Sequence, residues 1–400
     1  MGNAAFPVTF GAEPRVADRA IEATRADAIP WYVWCLAAAV ACDAFGGYWD
    51  ISWHISIGRD TFWTPAHMMM YLSGVLSGIA CGYAILSATF GSSREAKDNS
   101  VSIWGFRGPL GCFIATWGAF AMLTSAPFDN WWHNAYGLDV KIISLPHSIL
   151  ATGEGMILLG AVLLVCAQVN RASGVRREKL DRMLLFVGGI SIFGSALFDL
   201  ESTPTGLMHS SVFYQAMASA FPIALIGISC VSKSKWPATT MASIYTALFL
   251  ALLWIFPLFP AAPKLGPVYQ PITHMVPLWF PTLLIVPAFA LDLLRQRMGD
   301  RWGTWKSAVI AGCVYIGVFF AAQWPFADFL MSPMARNRIF GAAYFGYFDP
   351  ANVLYNPYHF FRVDPTWGAF ASAMVGVLIT SIIFCSIGMA LGNLMRRVKR

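Results

Sequence analysis

The 400 residues are 57% hydrophobic and 12% charged, with a net charge of +6 and a mean hydropathy of +0.57. No water-soluble domain has an interior large enough to hide that much apolar surface, so composition excludes a soluble globule and indicates a polytopic membrane protein. The apolar runs reach about 20 residues, enough to cross a hydrocarbon core of roughly 30 Å as helices, and lack the short alternating segments of an outer-membrane barrel. The expected fold class is all-α.

Residues 1–28 are polar and mixed in charge, with Arg15, Arg19 and Arg25 but no signal-peptide pattern, and read as a cytoplasmic N-terminal segment. About ten transmembrane helices follow, expected near 30–54, 65–90, 107–132, 145–169, 183–200, 207–231, 237–259, 276–296, 305–328 and 367–394. They group as five hairpins: three in a metal-binding half, 29–232, and two in a C-terminal half, 233–400. The latter carries a long extracytoplasmic loop at 329–366, rich in aromatic residues, Asn and Pro, that is long enough to act as a lid. The eight cysteines stand singly in apolar runs and never as C-x-x-C, which indicates small packing residues rather than disulfides or a thiolate zinc site.

Charge orients this array. The N-terminal segment, the connections on the same side and the C-terminus hold 21 of the 27 Lys and Arg, leaving Arg59, Lys141, Lys264, Arg336, Arg338 and Arg362 opposite. The positive-inside rule therefore puts both termini in the cytoplasm, as in a bacterial inner membrane. The topology and anionic lipid account for the positive charge, with no nucleic acid implied. All seven histidines, at 54, 67, 133, 147, 209, 274 and 359, then fall on or near extracytoplasmic turns. An interface suits a lone histidine, but seven on one face ask for more.

The hairpins repeat an outward helix, a turn and a proline-led inward helix, at Thr64-Pro65, Pro146, Thr203-Pro204, Pro271 and Asp364-Pro365. Proline at the first helical position costs no hydrogen bond, and Thr64 or Ser144 before it is placed to cap free N–H groups. In the first hairpin Asp50 and His54 close the outward helix and His67 opens the next; in the second, Asp129 and His133 do so, followed by His147. Residues four apart share a helix face, so each Asp-His pair aims at one point and a third ligand arrives from the neighbouring helix. Two imidazoles and one carboxylate suit a borderline divalent ion and leave positions open for oxygen or substrate. Copper, iron and zinc all fit, and the spacing permits either one dinuclear or two mononuclear sites. Asp43, two turns before Asp50, and Glu154, two turns after His147, place a further carboxylate in each copy, as a support for the ligands or as a hydrogen-bonding group between helices.

Arg59-Asp60-Thr61-Phe62-Trp63-Thr64-Pro65-Ala66-His67 resembles the R-D-T-D-F-T-P-S-H segment of the C subunit of the particulate methane and ammonia monooxygenases, at six of nine positions. In that family an aspartate and two histidines at D-x3-H-x12-H bind copper within the membrane. The resemblance implies copper on Asp50, His54 and His67, with Arg59 and Asp60 shaping the turn, and partner subunits beside this chain. The likeness is specific over about residues 49–75.

The leading expectation is a membrane-embedded, copper-dependent monooxygenase-like protein that activates O2 and oxidises a small or lipid-soluble substrate at the extracytoplasmic face. It would draw electrons from an external donor such as quinol. Phe62, Trp63, Phe128, Trp131 and Trp132 would wall a greasy pocket or form the interfacial aromatic belt. The competing readings are a metal-ion or small-molecule transporter and a zinc-dependent intramembrane hydrolase.

Overall fold

The computed structural model describes residues 28–137, 144–199, 207–266, 272–341 and 364–400. Outside them lie Arg15, Arg19, Arg25, Lys141, Glu201, the Thr203-Pro204 and Pro271 positions, His359 and Arg362.

The described chain is overwhelmingly helical. Helix α1 (Trp31–Ser56) is followed by α2 (Pro65–Phe90) and the one-turn α3 (Arg94–Asp98). A β-hairpin, β1 (Val101–Ile103) paired antiparallel with β2 (Phe106–Gly108), comes next. Then follow α4 (Leu110–Tyr136), α5 (Leu145–Arg171), α6 (Gly174–Ser195), α7 (Ser211–Ala220), α8 (Pro222–Val231) and α9 (Pro237–Ile255). The last three are α10 (Ile285–Met298), α11 (Trp305–Met331) and α12 (Trp367–Met395). Among the described residues seven segments are long and apolar enough to cross a membrane: α2, α4, α5, α7 with α8, α9 with its 3-10 extension, α11 and α12. The chain is therefore read as an integral membrane protein.

Several expectations need revision. The connection after α2 carries two short strands that were not expected: Trp104 (φ 51°) and Gly105 (φ 85°) take left-handed backbone and turn them into a tight hairpin. The stretch expected as a helix from 276 is non-helical up to α10, because Pro277 and Pro281 deny it two amide donors. The sixth stretch is two helices, broken where Pro222 follows Phe221. Finally, α12 is led by Thr366, whose hydroxyl accepts from Ala369 N, rather than by Pro365. Buried Asp364 instead holds the start of α7, accepting from Ser211 N at 2.8 Å and Ser211 Oγ at 2.6 Å.

Helices α1, α2, α4 and α5 form a closed ring in which each packs on the next and α5 returns to α1. Glycines allow this closeness. A Cβ on Gly118 would stand 2.6 Å from the Gly153 carbonyl oxygen, and one on Gly160 2.5 Å from that of Gly111, so α4 and α5 meet backbone to backbone. Gly46 on α1 leaves the same room for Met70 on α2. The remaining helices pack around α12 and α9, and one continuous hydrophobic core runs through both halves of the chain.

The C-terminal half pins the end of α1. Buried Ser52 donates to Val276 O at 2.6 Å, Ser56 Oγ accepts from Val276 N at 2.7 Å, and Leu265 N donates to Ile57 O. Tyr48 OH donates to Phe193 O on α6 at 2.7 Å. The last turn of α1 thus sits in a fixed frame.

Gly118→Leu drives a branched side chain into the α5 backbone and is expected to destabilise the chain by roughly 1–3 kcal/mol or more. Thermal unfolding in detergent reads this as a lower midpoint. Gly155→Ala, which meets nothing within 4 Å, leaves the midpoint unchanged or slightly higher.

Candidate metal centre

The first site is built at the join of α1 and α2. Asp50 and His54 lie one turn apart on the last two turns of α1. The chain then reverses through Gly58, whose φ of +105° favours glycine and whose missing Cβ leaves room for the backbone of Gly266 at 2.9 Å. Arg59 contributes its carbonyl, which accepts from Trp53 Nε1 at 3.1 Å. Thr61 and Thr64 clasp each other: Thr64 N donates to Thr61 O at 3.0 Å and Thr61 N to Thr64 Oγ1 at 2.7 Å. The Thr64 hydroxyl therefore serves the turn behind it, and does not cap α2 as its position before Pro65 implies. The Thr61 carbonyl also faces His67 Nδ1 at 2.9 Å. That contact orients the ring and leaves Nε2 to look inward.

Around His67 Nε2 two carboxylates converge, Asp60 Oδ2 at 2.9 Å and Asp50 Oδ1 at 3.2 Å. His54 Nε2 closes the far side, 3.5 Å from Asp60 Oδ2 and 3.6 Å from Asp50 Oδ2. Asp50, Asp60 and His67 each offer a ligand atom, all within 4.8 Å of one another, the spread a single cation can gather. Burial alone would raise the Asp60 carboxyl; hydrogen bonds and charge from His54 and His67 outweigh it and hold the group well below the usual carboxylate range. Asp50 Oδ1 is buried in ion-pair contact with His67 but outside hydrogen-bond alignment. Carboxylates so arranged need a cation between them.

The second site repeats the plan more loosely. Asp129 and His133 close α4, where Pro127 removes the amide that would bond Leu123 O. His133 Nε2 is 3.2 Å from Asp129 Oδ2, and His147 Nε2 is 3.9 Å from Asp129 Oδ1. Ser144 caps α5, accepting from His147 N, and its hydroxyl meets His147 Nδ1 at 2.8 Å. His133 Nδ1 lies 3.4 Å from Gly137 O. Here too each Nδ1 is engaged by the turn while Nε2 faces the aspartate, and Asp129 Oδ1 is buried with no hydrogen bond. Among the described residues only the first site gathers three ligand atoms within single-ion reach.

Asp60 thus stands among the ligand atoms rather than behind them. Sequence spacing could not show this, because Asp60 lies on a loop and no helical period relates it to His67. Tyr71 was missed although it lies four residues after His67 on the same face. Its ring packs on Phe62, with centroids 5.1 Å apart, and it is in electrostatic reach of Asp129, Asp60 and Asp50. Glu154 feels the charge of Asp50 and Asp43 that of Glu154, so acidic groups continue from the site into the ring, ending at Asp43 Oδ1, which is buried with no hydrogen-bond partner. Trp63 and Trp131 point outward, 72% and 54% exposed, as belt residues do. The other described histidines lie elsewhere: His209 pairs with Asp328 at 3.0 Å and His274 meets Thr273 Oγ1 at 3.0 Å.

The donors within single-ion reach are one imidazole, His67, and two carboxylates, Asp50 and Asp60, with the expected ligand His54 beside them but outside that cluster. Imidazole suits copper, iron, nickel and zinc, and the second carboxylate adds oxygen character that widens the choice toward manganese. No protein-family model, curated protein or solved structure shows a significant match to this chain.

Asp60→Asn keeps the shape of the side chain and removes its charge. If Asp60 is a ligand, affinity for a divalent metal falls by about 100-fold or more, beyond the 10–100-fold typical of a residue that only supports a ligand. Competition with a chelator measures it, and a loss under about tenfold returns Asp60 to a turn-shaping role. Gly58→Ala, which forces the turn, lowers the same affinity while leaving the ligands in place.

Proposed function

We propose that this chain is a membrane-embedded, metal-dependent oxygenase whose metal, copper by resemblance to the monooxygenase C subunit, is held by Asp50, Asp60, His54 and His67. The observation that carries the reading is the convergence of Asp50 and Asp60 on His67 Nε2, within reach of one cation. Asp129, His133 and His147 form a second metal position. A redox metal held there supplies the oxygen chemistry that side chains lack. Iron or zinc also fits the donors.

The protein's own contribution is geometric. The Thr61–Thr64 clasp fixes the His67 ring, and the frame around Ser52 and Ser56 fixes the last turn of α1. Small or lipid-soluble molecules and O2 would arrive through the membrane, with electrons from an external donor such as quinol. Ten spans in five hairpins, both termini cytoplasmic in a bacterial inner membrane, and assembly with further copies or partner subunits belong to the same reading.

A transporter is the second reading, and one observation favours it. The membrane-crossing stretch Ser211–Val231 is broken at Phe221 and Pro222, and broken helices are common at the binding sites of carriers. Uptake of radiolabelled metal by proteoliposomes, abolished by Asp50→Ala, would put transport ahead of oxidation.

Elemental analysis of the purified chain tests the leading proposal. The unsubstituted protein is expected to carry stoichiometric metal. Replacing Asp50, His54 and His67 by Ala should remove the tighter part, and replacing Asp129, His133 and His147 as well should remove the rest. Negligible metal in the unsubstituted chain, or metal unchanged with both triads gone, rules the proposal out.

A further inference from the structure

Away from both histidine clusters, a groove of about 400 Å³ runs between α7 and α12. Its polar wall is formed by Asp199, after the end of α6, and by Ser211, Gln215 and Ser219. The last three recur every four residues and so make one stripe down α7. Val212 and Ala216 from α7, with Ala373 and Val377 from α12, make the wall apolar elsewhere. The stripe belongs to a stretch apolar enough to cross a membrane, yet Gln215 on it is exposed. An amide facing lipid is costly for each polar atom left without a bond, and only one of its protons is used, in the bond to Thr380. The stripe ends at Ser219, just before the helix breaks at Phe221 and Pro222, where Pro222 leaves the Ala218 carbonyl without its helical donor.

The hydrogen bonds already made decide what the groove accepts. Ser211 gives its hydroxyl proton to Asp364 Oδ1 at 2.6 Å, and Gln215 Nε2 donates to Thr380 Oγ1 at 2.8 Å. Ser219 donates to the carbonyls of Gln215 and Ala216, both at 3.1 Å. With these protons committed, the wall offers mainly acceptors: the Asp199 carboxylate, Gln215 Oε1 and hydroxyl lone pairs, with one Gln215 N–H left over. Among the described residues the Asp199 carboxylate has no hydrogen-bond or ion-pair partner. Such a wall complements a donor, and its apolar remainder complements a hydrocarbon body. The volume falls in the range of about 300–1,000 Å³ usual for small-molecule sites.

We propose that this groove binds a small membrane-soluble hydroxyl donor, an alcohol or a phenol, with its hydroxyl proton given to Asp199, its oxygen accepting the remaining Gln215 N–H, and its apolar body lying against Val212, Ala373 and Val377. The site is separate from the metal centre and does not depend on the reading given there.

Photolabelling of the full chain in lipid nanodiscs with a diazirine-bearing octanol tests it. Labelled peptides are expected to concentrate on α7 and α12. Excess octanol should suppress that labelling about tenfold or more, whereas octane, which lacks the donor, should leave it nearly unchanged. Asp199→Leu should abolish the difference between octanol and octane. Ala216→Phe, which puts an aromatic ring on the lining of the groove while keeping every polar side chain of its wall, should abolish the labelling. The competition uses the unsubstituted chain and so stands even if either variant fails to fold. Labelling spread evenly over lipid-facing helices, or competition by octane as strong as by octanol, overturns the proposal.

Discussion

Everything at the join of α1 and α2 depends on one electrostatic constraint: two carboxylates, Asp50 and Asp60, meet at one imidazole nitrogen of His67, at 3.2 Å and 2.9 Å. In water such a meeting would cost little. Beside apolar helices the same charges are poorly screened, and the arrangement persists only with positive charge between the carboxylates. A proton on His67 meets that need partly, whereas a divalent cation would meet it more fully and draw in His54, now 3.5 Å and 3.6 Å from the same carboxylates. The surrounding structure is arranged to keep the groups from moving apart. The Thr61 carbonyl holds the far side of the ring, Gly58 allows the reversal, and the segment around Val276 anchors Ser52 and Ser56, each two residues beyond Asp50 and His54.

The two sites are similar in plan and unequal in execution. Each pairs an aspartate and histidine one turn apart with a histidine from the next helix, and each engages Nδ1 through the turn. The first has Asp60 as an additional carboxylate, 2.9 Å from His67 Nε2. Among the described residues the second shows no third ligand atom beside its aspartate, and its second histidine stands 3.9 Å from Asp129. Tyr71 and Glu154 sit within electrostatic reach of Asp50, and Tyr71 of Asp129 as well. Charge placed at one site is therefore felt by groups near the other.

Much of this was legible in the sequence because its signals are local. Apolar length marked the spans, Pro65 and Pro146 marked helix starts, and the four-residue step from Asp50 to His54 and from Asp129 to His133 marked shared faces. What escaped was set by tertiary contact or by loop geometry. Asp60 looked like a turn residue because nothing periodic ties it to His67. Thr64 looked like a cap, but its hydroxyl is taken by Thr61 N. Asp364 was read with Pro365 as a helix start, whereas its carboxylate holds α7 across more than a hundred residues of chain. The helix expected from 276 was lost to Pro277 and Pro281, whose effect on the backbone outweighs an apolar run. The donor balance of the groove beside α7 could not be read at all before the partners of Ser211, Gln215 and Ser219 were known.

X-ray absorption at the edge of the bound metal examines the central claim most directly, because it reports the ligand atoms themselves. The structure of the first site predicts a shell of nitrogen and oxygen alone, with imidazole scattering from His54 and His67 that falls by about half in His67→Ala. A sulfur shell at about 2.3 Å, or a spectrum unaltered by His67→Ala, would contradict it.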